Sequence, residues 1–308
     1  MDIFEEPAAI RFADIDQSDT LSAAAAGDFF QEAAISHAEI LGVGRDAMRR
    51  TGQVWILSRL SVFMERRPRF MEKVLVRSWP RGTNRLFALR DYDIRSPLSG
   101  DPPGPETGGP GPGGERPGQT LVRGRGAWLI LDLEKRRPLR PQAAAGNLPL
   151  NEGIDALAGP KPGNEPPPAL AARDFSAPSA GSRGGGGKHS SRRACYSDID
   201  YNGHMNNARY IQWIQDMIEP GILERATQIR LDINYLAEVR QGDAIGLYMI
   251  PIDEPCFDTA GSPAVREAAF AIEGRREDPG RSTPGAEAAP VFRAELRTGQ
   301  GRAGLSPV

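Results

Sequence analysis

Apolar residues recur at helical spacing in two places along the chain. Phe30, Ala33, Ala34, His37 and Leu41 fall on one face of a stretch that ends at Gly42. Ile211, Ile214, Met217 and Ile218 repeat the pattern in the second half, where Pro220-Gly221 stops the helix. A helix over 22–41 would be about 30 Å long. Strand-like runs follow each helix: 54–63, 73–79, 86–94 and 126–131, then 229–235, 244–250, 264–272 and 291–297. A long helix followed by consecutive strands predicts an antiparallel sheet packed on that helix, an α+β arrangement in each half.

The two halves also align with one another. Residues 12–31 (FADIDQSDTLSAAAAGDFFQ) pair without gaps with 196–215 (YSDIDYNGHMNNARYIQWIQ), so that Phe12 meets Tyr196 at an offset of 184. Residues 60–80 pair with 231–251 at an offset of 171, and both stretches end in an apolar run and a proline. Two blocks in the same order indicate an internal duplication.

Composition qualifies this picture at three points. Of 308 residues, 39% are hydrophobic and 25% charged, enough for packed cores and, on length, for two domains. Gly and Pro concentrate in 100–118, 159–187 and 279–290, which read as flexible linkers or loops. The expected division is a domain over 1–150 with an insert near 100–118, a linker over 151–190, a domain over 191–300 and a tail over 301–308. A net charge of −2 argues against nucleic acid as a partner. No apolar run is long enough to span a membrane, and the acidic start lacks a signal peptide's apolar stretch. A soluble, cytoplasmic protein is expected. Cys195 and Cys256 make neither a disulfide framework nor a zinc site.

The copies differ in the turn before the helix. The first reads Asp16-Gln-Ser18-Asp-Thr20 and the second Asp200-Tyr-Asn202-Gly-His204. Arg67 of the first copy lies opposite Glu238 of the second. Asp200, Asn202, His204 and Glu238 therefore meet only in the second half. These residue types suit hydrolysis of an activated acyl group. An imidazole moves protons at physiological pH, and a carboxylate orients it, polarises water or attacks directly. An amide side chain and N–H groups at a helix start stabilise an oxyanion. On spacing alone, Asp and Asn equally suit turns and helix caps, and Glu238 equally suits a solvated strand end. Tyr210 and Trp213 read as core or pocket lining.

The run from Tyr196 to Trp213 resembles the signature of acyl-acyl carrier protein thioesterases. Phe30-Gln-Glu-Ala-Ala34, Leu41-Gly-Val-Gly44, Trp55-Ile-Leu-Ser-Arg59, Ser78-Trp-Pro80, Arg90-Asp-Tyr92 and Trp128-Leu-Ile-Leu-Asp132 extend the resemblance into the first half. The resemblance implies a tandem (double) hot-dog fold, two repeats each with a long helix packed in an antiparallel sheet. It implies hydrolysis of the thioester between a fatty acyl chain and the phosphopantetheine of acyl carrier protein, which ends fatty acid synthesis. It places the acyl chain largely in the first half and implies no cofactor and no metal. The family's catalytic positions map onto Asp200, Asn202, His204 and Glu238. Plant members often carry a cysteine after that glutamate, and here the position is Val239. The alternatives are a hot-dog hydrolase of acyl-coenzyme A or an aromatic acyl-coenzyme A, and a non-catalytic acyl-binding module. The expected partner is acyl carrier protein, with no nucleic acid or membrane partner; a homodimer is left open.

The run Gly184–Gly187 with Lys188 lacks the first glycine and the hydroxyl residue of a phosphate loop. Of the basic clusters, Arg66-Arg67-Pro68-Arg69, Lys135-Arg136-Arg137 with Arg140, and Arg192-Arg193, one is a candidate docking surface for an acidic carrier.

Overall fold

A computed structural model describes residues 2–97, 117–146, 148–151, 153–157, 165–175, 188–252, 268–277 and 289–299. The glycine run 184–187, Cys256 and most of the segments 100–118 and 279–290 lie outside these residues. The chain divides into two compact units, Met1–Ile56 with Phe63–Pro166, and Leu57–Val62 with Pro167–Val308.

The first unit opens with strand β1 (Phe4–Ala9), helix α1 (Ala23–Ile40), helix α2 (Arg45–Arg50) and the ends of strand β2 (Gln53–Met64). Strands β3 (Lys73–Asn84), β4 (Phe87–Arg95), β5 (Thr120–Asp132) and β6 (Arg137–Leu139) and helix α3 (Pro141–Ala145) follow. All pairings are antiparallel, in the order β1-β3-β4-β5, with β6 on β5. Helix α1 starts where the Ser22 hydroxyl accepts the Ala25 N–H at 3.1 Å, an N-cap that satisfies one orphan donor. Its buried face carries Ala23, Ala26, Phe30, Ala33, Ala34 and His37, and the alanines let it approach the sheet closely. Phe30 stacks on Tyr92 of β4 at 4.8 Å between ring centroids and lies over Gly124 of β5.

In the second unit, Leu57–Val62 of β2 lies beside strand β8 (Gln228–Tyr235). Strand β7 (Lys188–Arg193), helix α4 (Asn207–Met217), helix α5 (Pro220–Arg225), β9 (Ala244–Pro251), β10 (Ala268–Arg276) and β11 (Pro290–Gly299) complete it. The strand order is β8-β11-β10-β9-β7, again antiparallel. Tyr210 of α4 meets Tyr235 and Phe292 edge-on, and Ile211, Trp213, Ile214 and Met217 are buried.

The eight strands expected after the helices are all present, with ends shifted by a few residues. The short strand expected before each polar turn is present as β1 and β7, with a 3-10 turn between strand and turn, and strand β6 was not expected. All three are short and largely exposed, and β1 and β7 close the ends of the pairing orders above, so their sequences show no apolar alternation. The expected second helix is shorter than the first, 11 residues against 18, and Ile218 is already extended. Pro220 does not merely stop that helix. It takes the first turn of α5, where its missing N–H costs nothing.

Parts of the stretch expected as a linker are bound to the sheets. In the first unit Trp79 Nε1 donates to the Ile154 carbonyl (3.1 Å), and Asp155 pairs with Arg81 (2.7 Å) and Arg125 (3.0 Å). The Ala156 N–H donates to Asp91 at 2.9 Å. In the second unit Asn234 accepts the Leu170 N–H (2.8 Å) and donates to Pro168 (2.9 Å), while Arg173 pairs with Glu295 (2.8 Å).

Candidate active site

The turn that precedes each long helix is built the same way in both units. A single 3-10 turn, Tyr196–Asp198, is capped by Asp198, whose carboxylate accepts the Cys195 N–H at 2.8 Å. The chain then reverses. The Asp200 N–H donates to the His204 carbonyl (2.8 Å), and the Gly203 N–H donates to the Asp200 carbonyl (3.0 Å). Gly203 has φ of 80°, a left-handed conformation that glycine adopts without strain. Asn206 then caps α4, accepting the Ala208 N–H at 2.8 Å.

The contacts of the turn have counterparts 184 residues earlier, and Ser22 stands where Asn206 does but caps its helix at Ala25, three residues on. Asp14 accepts the Arg11 N–H (2.8 Å), Asp16 N–H donates to Thr20 (3.0 Å), and Asp19, at φ 57°, donates to Asp16 (3.1 Å). The second offset holds as well. Leu21 N–H donates to Pro68 (2.7 Å) as Met205 N–H donates to Val239 (2.8 Å), which puts Pro68 opposite Val239 and Arg67 opposite Glu238. The backbone duplication read from the sequence is therefore present at these bonds.

The side chains diverge. In the first unit Arg67 is buried, forms an ion pair with Asp16 and donates from Nε to the Leu21 carbonyl at 3.1 Å. Burial pulls this guanidinium below the usual arginine range, and the Asp16 charge opposes the fall. Ser18 and Thr20 close the turn through their hydroxyls, 2.8 Å apart. In the second unit His204 Nε2 stands 2.9 Å from Glu238 Oε2, with side chains 29% and 49% exposed, so water reaches the pair. Arg240 approaches the same carboxylate oxygen at 3.4 Å.

Of the four predicted residues, His204 and Glu238 are thus in direct contact. Asp200 holds the turn itself, accepting the Asn202 N–H at 2.8 Å, and so sets where Asn202 and His204 stand. The helix-start N–H groups of Ala208 and Arg209 are bonded to Asn206. Cys195 is exposed and its thiol donates to the Arg193 carbonyl at 3.4 Å. Arg67, one of the basic cluster considered for docking, is an internal ion-pair partner.

Of three residues near Glu238, Tyr210 had been read as core or pocket lining, and Arg276 and Asp243 had no role in the sequence reading. Burial holds the Tyr210 phenol well above the ordinary tyrosine range. Arg276 donates from Nη2 to the Glu238 carbonyl and from Nη1 to Asp243 Oδ2, both at 2.7 Å. The repeat carried a trace of this, since the 171 offset sets Asp243 opposite Glu72.

Comparison with known proteins agrees with this architecture. Residues 1–101 match the model of the acyl-ACP thioesterase N-terminal domain, and residues 187–261 that of the C-terminal domain. A palmitoyl-acyl carrier protein thioesterase of Cuphea hookeriana is 22% identical over 77% of this chain and 52% of its own length. An oleoyl-acyl carrier protein thioesterase of Coriandrum sativum is 22% identical over 88% of this chain and 69% of its own. The chain thus spans about half the length of the first of these curated relatives. Among solved structures, an acyl-ACP thioesterase from Bacteroides thetaiotaomicron superposes with a TM-score of 0.65 at 21% identity, covering 96% of this chain and 97% of that one. A 12:0-ACP thioesterase from Umbellularia californica gives 0.64 at 18% identity, covering 96% of both chains. The fold is the tandem hot-dog, and with both domain models matched in order the chain belongs to the acyl-ACP thioesterase family.

Proposed function

We propose that this chain hydrolyses the thioester that joins a fatty acyl chain to the phosphopantetheine of acyl carrier protein, releasing free fatty acid and holo-carrier. The observation that carries the reading is the solvent-reached contact between His204 and Glu238, 2.9 Å, where the first unit has Thr20 and the buried Arg67. In this reading Glu238, with its carboxylate held against the imidazole, takes a proton from a water that attacks the thioester carbonyl. The carbon–oxygen bond forms as the oxyanion is held by the Asn202 amide. The carbon–sulfur bond then breaks, and the proton taken from water passes from Glu238 through His204 to the departing sulfur, which returns both side chains to their starting state. Asp200 keeps Asn202 and His204 in register through the turn.

The test is release of free fatty acid from one acyl group presented on acyl carrier protein and on coenzyme A. Faster turnover of the carrier form is expected, and the reverse preference would favour a coenzyme A hydrolase. Acyl binding with no product in either form would favour a non-catalytic binding module. His204→Gln and Glu238→Gln are each expected to slow turnover by about 10²–10⁴-fold. Near-normal rates in both would remove these residues from the mechanism.

A further inference from the structure

Glu238 lies outside regular structure, on the connection between β8 and β9, and its side chain is 49% exposed. A carboxylate so placed has many rotamers and an irregular backbone beneath it, yet it meets His204 at 2.9 Å. The backbone on either side is pinned. Leu236 and Ala237 donate to the Val291 carbonyl at 2.9 and 3.1 Å, and Met205 donates to Val239 at 2.8 Å. At Glu238 itself the pin is a side chain from another strand. Arg276, at the end of β10, bridges the Glu238 carbonyl and Asp243 Oδ2, both at 2.7 Å. Asp243 in turn accepts the Arg240 N–H at 2.9 Å, and its own N–H donates to the Arg240 carbonyl at 3.0 Å.

The first unit uses the same anchor differently. Glu72, opposite Asp243, accepts the Arg69 N–H at 2.9 Å, but its guanidinium partner is Arg66, from the same connection, at 2.9 Å. At the position opposite Arg66 the second unit has Ala237. There the partner comes from β10, and it holds the Glu238 carbonyl at 2.7 Å, whereas Arg66 meets the carbonyl of the equivalent residue, Arg67, at 3.5 Å.

We infer that Arg276 and Asp243 are positioning residues for the proposed hydrolysis: together they fix the backbone at Glu238 so that its carboxylate meets His204. The inference rests on the role given to Glu238 under the proposed function. A planar guanidinium fork spans two acceptors at once, whereas a lysine ammonium acts as a point charge. Arg276 is 46% exposed, so its replacement leaves the core intact.

Steady-state hydrolysis of an acyl-carrier thioester by the full chain tests this. Arg276→Gln is expected to lower kcat by about ten- to a hundredfold, with KM within about twofold, because misplacement of a reacting group acts on the chemical step. Arg276→Lys is not expected to restore the rate, and Asp243→Asn should lower kcat in the same direction. In a Glu238→Gln background Arg276→Gln should cost nothing more, since its effect runs through that carboxylate. A wild-type kcat in Arg276→Gln, full rescue by lysine, or an undiminished loss in the Glu238→Gln background would each overturn the inference. If Glu238→Gln itself keeps the wild-type rate, the assignment of Glu238 fails and the clamp with it. If Glu238→Gln is slow and Arg276→Gln is not, the clamp alone fails.

Discussion

Thr20 and His204 stand at the same point of two superposable turns, and Arg67 and Glu238 stand at the same point of two connections. Two side-chain exchanges therefore separate a buried arginine–aspartate pair from a solvent-reached histidine–glutamate pair. A second histidine shows the opposite environment. His37 on α1 is buried, its Nδ1 3.0 Å from Arg90 Nη1 and its Nε2 3.4 Å from Asp2. Arg90 also donates to Ser78 at 2.9 Å. Burial, with the Arg90 charge behind it, lowers the His37 pKa below its usual 6.5, and Asp2 and the Ser78 backbone oppose the fall. The folded state therefore binds the proton less readily than the unfolded chain. The His37 contribution is complete above the ordinary imidazole value and is lost as pH falls through it toward the lowered folded value. Denaturant titrations between roughly pH 7 and 5 should show stability falling with acid, and His37→Gln should flatten that slope. An equally steep slope in the variant would place the effect elsewhere.

At the scale of elements, each long helix is placed by how closely its sheet lets it approach. Gly124 on β5 supplies the room for Phe30: a Cβ there would stand 2.4 Å from the ring. The ring is also held against Tyr92, so it cannot swing aside freely. Gly124→Ala is expected to lower unfolding stability by about 1–3 kcal/mol, the usual cost of overpacking a filled core. Adding Phe30→Leu should recover part of that loss, which a shift in the denaturant midpoint would read. No recovery would mean that the strain lies in the strand and not in the ring contact. The capped start of α1 and its alanine face are sequence properties, but the single glycine beneath Phe30 gains its meaning only from the strand opposite.

For the whole molecule, one backbone plan serves twice, and the segments that join and decorate it are where the copies differ. Residues 153–157 and 165–175 are rich in neither apolar runs nor helical spacing, yet they are bound by Asp91, Arg81 and Arg125 in one unit and by Asn234 and Glu295 in the other. Among the described residues no helix is long and apolar enough to cross a membrane. The basic clusters also sort themselves in three dimensions. Arg66 and Arg67 are taken up by Glu72 and Asp16, whereas Lys135, Arg136 and Arg137 are exposed at the β5–β6 turn. If an acidic carrier docks there, Arg136→Glu with Arg137→Glu should raise KM several-fold for the carrier thioester and leave a pantetheine thioester unchanged. An equal effect on both substrates would exclude docking at that turn.

The sequence by itself determined the duplication, the two helix–sheet units and the set of Asp200, Asn202, His204 and Glu238, of which the last three are peculiar to the second copy. Each of these is written in local spacing: apolar periodicity for the elements, fixed offsets for the repeat, and one turn motif for Asp200, Asn202 and His204. Only the tertiary structure decided the rest. It brought Glu238, 34 positions after His204, to 2.9 Å from the imidazole. It gave Asp243 and Arg276 their places beside Glu238, tied down the stretch after residue 150, and formed the exposed strand β6. These features depend on hydrogen bonds and ion pairs between residues distant in the chain. Such contacts leave no period in the sequence, because a polar partner is selected by where the fold delivers it and not by its neighbours along the backbone.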